Sequence, residues 1–292
     1  MSEAQNIQWF PGHMTRTRRQ IEKSLKLVDV AAEIIDARIP VSSRNPVLDK
    51  LIQGKPRMIL MNKSDMADGG ATSRWISYYR TKGIKAIALD CRSGKGVNGF
   101  LPAVREVLQP QIARWEAKGM TGRPIRIMVV GIPNVGKSSL INKMCRGGAA
   151  GKAEVQDRPG VTRQNRWFTI GKGFELLDTP GVLWPRFDDP VVGERLAFTG
   201  AVKDEVVDVE HLASRLLESL RDLCPQAVVG RYRLSPEDLP EKTGYELLEM
   251  VGRKRGFLVS GGEINTERAA ITVLDEFRGG KLGRITLEFP PV

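Results

Sequence analysis

The stretch Gly131-Ile-Pro-Asn-Val-Gly-Lys-Ser138 follows an apolar run, Ile125–Val130, and precedes a helix-like run, Ser139–Met144. Glycines and a lysine at this spacing, between a strand and a helix, are typical of a phosphate-binding loop. The glycines let backbone N–H groups turn toward phosphate oxygens, and the lysine adds a charge at the β and γ oxygens. The segment therefore predicts a nucleoside triphosphate site. The residues expected to contact the phosphates are Asn134, Val135, Gly136, Lys137, Ser138 and Ser139.

Two further segments supply oxygen ligands for Mg²⁺ beside this loop. Leu176-Leu-Asp178-Thr-Pro-Gly181 ends an apolar run, where Asp178 can reach the metal and the Gly181 N–H can reach the γ-phosphate. Alone, such a segment is as often a simple turn. Thr162, in the polar stretch Asp157-Arg-Pro-Gly-Val-Thr162, is the expected switch residue. With the Ser138 hydroxyl, Asp178 and Thr162 complete the predicted Mg²⁺ site.

The segment Asn62-Lys63-Ser64-Asp65, again after an apolar run, predicts the choice of base. The Asp65 carboxylate can accept both N1–H and the N2 amine of guanine, whereas adenine has no such pair of donors there. Sites built on paired polar contacts reject a ligand that lacks them by about 10⁴ to 10⁵ fold. The sequence therefore favours GTP over ATP as substrate, and Asn62, Lys63 and Asp65 are predicted base-site residues.

Apolar runs alternate with helix-like segments through the first two thirds of the chain, which predicts an α/β fold with a covered, mainly parallel sheet. After about Asp204 the strand pattern fades and only helix-like segments remain. We expect two domains: residues 1–204, a nucleotide-binding domain with an N-terminal segment, and residues 205–292, a small helical domain. The predicted strands are Val28–Ile35, Arg57–Met61, Lys85–Leu89, Ile125–Val130 and Phe174–Leu177.

The order of the motifs is unusual, because Asn62–Asp65 precedes the phosphate loop that comes first in most GTPases. The chain thus has the pattern of a circularly permuted P-loop GTPase. Together with Trp9-Phe-Pro-Gly-His-Met14, Asp36-Ala-Arg-Ile-Pro40 and Gly252-Arg-Lys-Arg-Gly256, this order resembles the bacterial ribosome-assembly GTPases of the RbgA (YlqF) type. The resemblance covers nearly the whole chain.

That resemblance implies late assembly of the large ribosomal subunit, with its precursor and ribosomal RNA as partners. It implies further that the helical domain, residues 205–292, helps to bind the RNA and the ribosome. It also implies that His13 orients the attacking water, because Val182 stands where many GTPases carry a glutamine. The loop behind the base often reads Ser-Ala in this family, whereas here it is Asp90-Cys91-Arg92-Ser93. Cys91 and Arg92 are expected to serve there through backbone N–H groups.

Asn134 resembles the asparagine that coordinates K⁺ in potassium-activated GTPases, although an ordinary turn residue would also fit this position. The expected catalytic set is therefore His13, Lys137 and Thr162. The expected cofactors are Mg²⁺ and K⁺.

Composition supports a nucleic-acid partner. The net charge is +11, and residues 102–173 carry about 13 basic against 4 acidic side chains, or about +9. A solvated face that only maintains solubility is the alternative. Three scattered cysteines and two histidines favour neither disulfides nor a zinc site. With no apolar run of spanning length and no signal-peptide pattern, we expect a cytoplasmic protein without a membrane partner, monomeric when free.

Two other functional classes remain open at this stage. One is a GTPase coupled to RNA modification, for which no second catalytic constellation is visible in the sequence. The other is an RNA-binding scaffold that uses GTP only for stability. Turnover of GTP with and without ribosomal subunits separates these classes.

Overall fold

The computed structural model describes residues 12–146, 155–156, 166–171, 173–179, 181 and 189–291. They form two compact units, one spanning Trp9–Pro185 with Glu288–Val292 and the other Arg186–Leu287. We call the first the nucleotide unit and the second the helical unit.

The nucleotide unit is built on a seven-stranded sheet in the order β3-β2-β1-β4-β7-β6-β5. The first five strands of this order are parallel, whereas β6 runs antiparallel to both β7 and β5. The sheet therefore confirms the predicted mainly parallel α/β fold. The strands are β1 Val30–Asp36, β2 Arg57–Asn62, β3 Lys85–Ala88, β4 Ile125–Val130, β5 Val155–Gln156, β6 Arg166–Thr169 and β7 Phe174–Asp178.

Helices cover both faces of this sheet. Side chains alternate between the faces of a strand, so near-continuous apolar strands such as β2 and β4 can be stable only with both faces covered. On one face α1, α2 and α3 pack through side chains such as Ile21, Leu48 and Trp75. On the other, α4 contacts β2 and β3, and α5 contacts β7. These helices are α1 Gly12–Leu25, α2 Pro46–Ile52, α3 Gly69–Thr81, α4 Phe100–Ala117 and α5 Lys137–Arg146.

The structure differs from the sequence-based expectations at short or polar segments. Strands β5 and β6 were not predicted, because runs of only two and four residues give almost no alternation signal. No helix was predicted for the segment carrying His13, whose backbone nevertheless lies in the first turn of α1, which begins at Gly12. This helix is held by Ile21 and Leu25, four residues apart, which are buried against the sheet.

In the described part of the helical unit, five helices pack around a leucine-rich core. Helix α7 contacts α6, α8, α9 and α10. Its close approach to α9 requires a glycine, since a Cβ at Gly244 would lie 2.3 Å from the Ser214 carbonyl oxygen. Within the described residues no helix is both long and apolar enough to cross a bilayer. The helices are α6 Pro190–Phe198, α7 Val209–Leu223, α8 Pro225–Tyr232, α9 Gly244–Arg255 and α10 Thr266–Arg278.

The expected domain boundary at 204/205 differs from this division at both ends. Helix α6 belongs with the helical unit because it packs on α7 and α10 and buries Leu196 and Phe198. At the other end, residues 288–292 return to the nucleotide unit. Neither feature shows in the sequence, because both depend on contacts between distant residues.

The returning tail is held by Glu288, which is 4% exposed. Its carboxylate accepts hydrogen bonds from the backbone N–H groups of Val41 and Ser42 and from the Ser42 hydroxyl. The indole Nε1 of Trp75 donates to the Glu288 carbonyl oxygen at 2.8 Å. Arg74 stacks over the Phe289 ring, 5.6 Å from its centroid. The last residues of the chain thus complete the surface of the nucleotide unit.

We predict that Glu288→Ala lowers the free energy of unfolding of the nucleotide unit by about 2–3 kcal/mol, because it leaves the buried N–H and hydroxyl of Ser42 without their charged acceptor. Denaturant unfolding, monitored by circular dichroism with and without nucleotide, measures the change. The control is Glu116→Ala, which removes an exposed carboxylate from α4 of the same unit. Equal stabilities of the two variants would contradict the role given to Glu288.

Candidate functional site

The predicted nucleotide elements meet at one edge of the sheet. Parallel strands β1, β2, β4 and β7 all point their carboxyl ends there, and the sheet order reverses between β1 and β4. Such a reversal opens a crevice in which α/β proteins bind ligands. The phosphate loop leaves β4 at this crevice. It passes so near β1 that a Cβ at Gly131 would lie 2.5 Å from the Ile34 carbonyl oxygen.

The phosphate loop has the conformation that its sequence predicts. Gly136 has φ +108°, and the loop leads directly into α5, whose first residue is Lys137. Ser138 and Ser139 are exposed in the first helical turn, where free N–H groups attract anions. Asn134 is exposed and adopts a left-handed backbone, φ +57°. The loop thus presents a row of donors and hydroxyls to the crevice.

Lys137 lies inside this loop, 8% exposed. Its Nζ donates to the carbonyl oxygens of Gly131 at 3.1 Å and Ile132 at 2.7 Å. Burial lowers the pKa of Lys137 to about 8, although nearby Asp178 opposes the shift. A triphosphate beside the ammonium favours its charged form and raises this pKa again.

A pH dependence of binding follows from this lysine. Below about pH 8 the ammonium is already charged and nucleotide affinity is constant. Above it, binding must take up a proton, so affinity falls by up to about tenfold per pH unit. Titration with a fluorescent guanine nucleotide between about pH 7 and 9 checks this. Lys137→Arg stays protonated and is expected to lack the slope. A flat profile for the unsubstituted protein would contradict the assignment.

Asp178 and Gly181 lie next to this lysine. Asp178 ends β7 in register with Val129 of β4, just before the phosphate loop. Burial raises the pKa of the Asp178 carboxyl, while Lys137 and Arg166 act against the shift. A Cβ at Gly181 would be 2.9 Å from the lysine Nζ. The Asp178 carboxylate and the Ser138 hydroxyl are hard oxygen donors of the kind that Mg²⁺ prefers, so these two residues would hold that ion.

Asn62 joins three elements of the site. Its Nδ2 donates to the Val135 carbonyl oxygen of the phosphate loop at 2.7 Å. Its Oδ1 accepts the N–H of Cys91 at 3.0 Å. The approach is so tight that a Cβ at Gly136 would lie 2.1 Å from Nδ2. The asparagine of the base element is therefore a structural bridge at the centre of the site.

Asp65 is the residue of the Asn62–Asp65 segment that is predicted to recognise the base. Its Oδ1 is buried and has no hydrogen-bond partner within the part of the chain that the structure describes. Buried carboxylate oxygens are normally satisfied, so this oxygen is open to a donor from outside the described residues. The two adjacent donors of guanine would satisfy it, and base recognition by Asp65 stays a prediction.

The loop at 90–93 lies beside Asn62 as expected, but its N–H groups are engaged within the protein. The Asp90 carboxylate accepts from Arg92 at 2.8 Å and from Ser93 at 3.2 Å. Burial would raise the pKa of Asp90, but these hydrogen bonds hold it below its ordinary value. Cys91 is buried, which raises the pKa of its thiol to about 12. The base contacts predicted for Cys91 and Arg92 stay a prediction.

Sequence reasoning missed two carboxylates that organise the site, Asp90 and Asp36. Asp90 was noted only as the start of the base loop, and Asp36 only as part of a shared motif. Their position was the available signal, since Asp36 ends β1 and Asp90 lies two residues after β3, and the carboxyl ends of parallel strands meet at the ligand edge. Thr162, Val182 and the His13 side chain lie outside the described residues, so their roles stay predictions.

Comparison with known proteins agrees with this geometry. The 50S ribosome-binding GTPase family, MMR_HSR1, matches residues 126–226. Ribosome biogenesis GTPase A of Bacillus cereus is 45% identical over 97% of this chain and 94% of the relative. The chain belongs to the ribosome biogenesis GTPase A family. It is accordingly a GTP-hydrolysing enzyme that acts in ribosome biogenesis.

Other relatives extend this match. Ribosome biogenesis GTPase A of Priestia megaterium is 46% identical over 97% of each chain. Among solved structures, GNP-bound YlqF from T. maritima superposes with a TM-score of 0.68 at 27% identity, covering 94% of this chain and 98% of that one. The GDP-bound TM YlqF gives a TM-score of 0.69 at 28% identity, with 93% and 99% covered. The predicted family and fold are thereby confirmed.

Proposed function

We propose that this GTPase is a molecular switch that assists late assembly of the large (50S) ribosomal subunit. It binds the subunit precursor through ribosomal RNA, and the particle stimulates its hydrolysis of GTP to GDP and phosphate. The observation that carries the proposal is the near full-length match to relatives named ribosome biogenesis GTPase A. The net charge of +11 supports a polyanionic partner. We also propose that it acts in the cytoplasm and is monomeric when free.

In this proposal, different described residues recognise the base and bind the phosphates. Asp65 selects the base, while Asn62 holds the base loop and the phosphate loop in register. Lys137 and the first turn of α5 bind the phosphates. Mg²⁺, when bound, neutralises charge that develops on the phosphate oxygens. In the proposal, Thr162 senses the γ-phosphate and His13 orients the attacking water.

Some basic side chains of the nucleotide unit form ion pairs within the protein. Arg123 pairs with Asp29 at 2.9 Å, and Arg126 pairs with Glu175 at 3.0 Å. Arg114 and Lys118, at the end of α4, have exposed side chains. These two exposed residues are therefore better probes of RNA contact than the ion-paired arginines, whose substitution would also disturb the fold.

The test is GTP turnover with purified 50S subunits, with 30S subunits as the matched control. We expect stimulation by 50S particles alone, and an association that weakens steeply as salt rises, because bound phosphates release counterions. Charge reversal by Arg114→Glu or Lys118→Glu should weaken it further. Absent stimulation would favour an RNA-binding scaffold, and a covalently altered RNA would favour an RNA-modifying enzyme. Either outcome overturns the proposed switch.

We further propose that K⁺ assists hydrolysis through Asn134, whose left-handed backbone and exposed position place it at the edge of the phosphate loop. Neutral oxygen ligands in a roomy site suit the larger ion, so turnover should be higher in K⁺ than in Na⁺ at equal ionic strength. Asn134→Ala should remove the difference. Equal rates of the unsubstituted enzyme in the two salts would reject the proposal.

A further inference from the structure

A buried aspartate stands beside the base-recognition element. Asp36 ends β1 in register with Asn62, which ends β2. Its carboxylate is held by Arg38, whose backbone N–H, Nε and Nη2 donate at 3.0, 2.9 and 2.8 Å. Both residues are almost fully buried, at 2% and 1% exposure. Burial alone would raise the pKa of Asp36, but Arg38 and Lys63 hold it well below its ordinary value, so it carries a full negative charge.

The second cation at this carboxylate is the lysine of the base element. Lys63 Nζ lies 3.0 Å from Asp36 Oδ2, and the Lys63 side chain is 22% exposed. Its backbone is also unusual, with φ +59°, a left-handed conformation that a side-chain-bearing residue adopts at a cost. Strain of this kind persists where surrounding contacts impose it, commonly at functional sites. The ion pair with Asp36 therefore fixes the position of the Lys63 ammonium group.

A long lysine side chain has much freedom to lose. Fixing all its rotamers costs up to about 2 kcal/mol, which a ligand must otherwise supply when it binds. In the described structure Asn62 bridges two loops, and Asp65 presents an unpartnered oxygen. Lys63 lies between these two residues in the sequence, and its Nζ contacts the carboxylate at the end of β1.

We propose that Asp36 is a positioning residue for guanine nucleotide binding, which holds the Lys63 side chain in its binding conformation before the nucleotide arrives. The inference rests on the GTP site described above and adds a residue outside its motifs. The competing explanation is a purely structural turn, in which Asp36 serves Arg38 alone.

The deciding variant is Asp36→Asn, which keeps Oδ1 for the Arg38 backbone N–H and Nε but replaces Oδ2, which faces both Lys63 Nζ and Arg38 Nη2, by an uncharged amide. We expect GDP and GTP affinities to fall together by roughly tenfold, the value of ordering one long side chain. The KM for GTP should rise accordingly. The kcat at saturating GTP should stay within about twofold, because Lys137, Ser138 and Asp178 do not contact Asp36. The control is Asp49→Asn. Asp49 lies on α2 and pairs with Arg44 and Arg57, so this variant also removes a paired carboxylate, but one that does not contact Lys63.

A double-substitution cycle separates positioning from structure. If Asp36 acts through Lys63, then Asp36→Asn combined with Lys63→Met binds no more weakly than Lys63→Met alone. Additive losses, or a loss of stability without a change in KM, would overturn the proposal. If Asp36→Asn does not fold, Lys63→Arg decides: it can still pair with Asp36 and should retain most of the affinity that Lys63→Met loses. Equal losses in these two variants would also overturn it.

Discussion

Replacement of Asp65 by asparagine is expected to shift the base preference of this GTPase from guanine toward xanthine. The aspartate offers two acceptors to N1–H and the N2 amine of guanine, whereas asparagine offers one acceptor and one donor. Xanthine carries an oxygen where guanine carries the amine, so it matches the variant. The structure supports this choice of residue because Asp65 Oδ1 is buried without a partner among the described residues.

The expected size of this effect is large. Discrimination by a pair of buried polar contacts reaches about 10⁴ to 10⁵ fold, and the ratio of GDP to XDP affinity should change on the order of 10⁴ fold. Competition of the two nucleotides against a fluorescent guanine nucleotide measures it. Asp68→Asn is the matched control. Asp68 follows Asp65 by three residues and is the N-cap of α3, a position where asparagine caps equally well. An unchanged preference in Asp65→Asn would remove this residue from the base site.

The second large effect is expected from His13→Ala. Val182 cannot orient a water molecule by hydrogen bonding, so another residue must do so. The proposed replacement is His13, whose backbone lies in the first turn of α1. The variant should keep GTP binding and ribosomal association but lose 50S-stimulated turnover by roughly 10² to 10³ fold, the contribution of one positioned catalytic group.

Two comparisons make this test specific. The basal rate without ribosomal particles should change far less than the stimulated rate, because the histidine is proposed to act only when the particle docks it. His13→Gln can still hydrogen-bond a water molecule and should retain more stimulated turnover than His13→Ala. Stimulated turnover of His13→Ala within about twofold of the unsubstituted enzyme would refute the catalytic role.

The main architecture could be predicted from the sequence because its signals are local. The phosphate loop, the strand before it and the helix after it are contiguous, and the run Ile125–Val130 matches β4 at both ends. The early position of Asn62–Asp65 likewise indicated the permutation without any coordinates. Helix α7 has the same local basis, because a strong amphipathic period lies between a capping aspartate and a following proline.

The contacts between these local elements could not be predicted in the same way. Asn62 reaches the carbonyl of Val135, 73 positions along the chain, and Asp36 reaches Lys63 from a different strand. The Glu288 carboxylate accepts a hydrogen bond from the N–H of Ser42, 246 positions earlier, so Glu288 belongs to the nucleotide unit. Such contacts cannot be predicted from periodicity or spacing along the sequence, because they form only when the ends of separate strands lie together at one edge of the sheet. Local sequence therefore specifies the chemistry that the chain carries, whereas the packing of distant elements specifies which side chains hold the chemical groups in position.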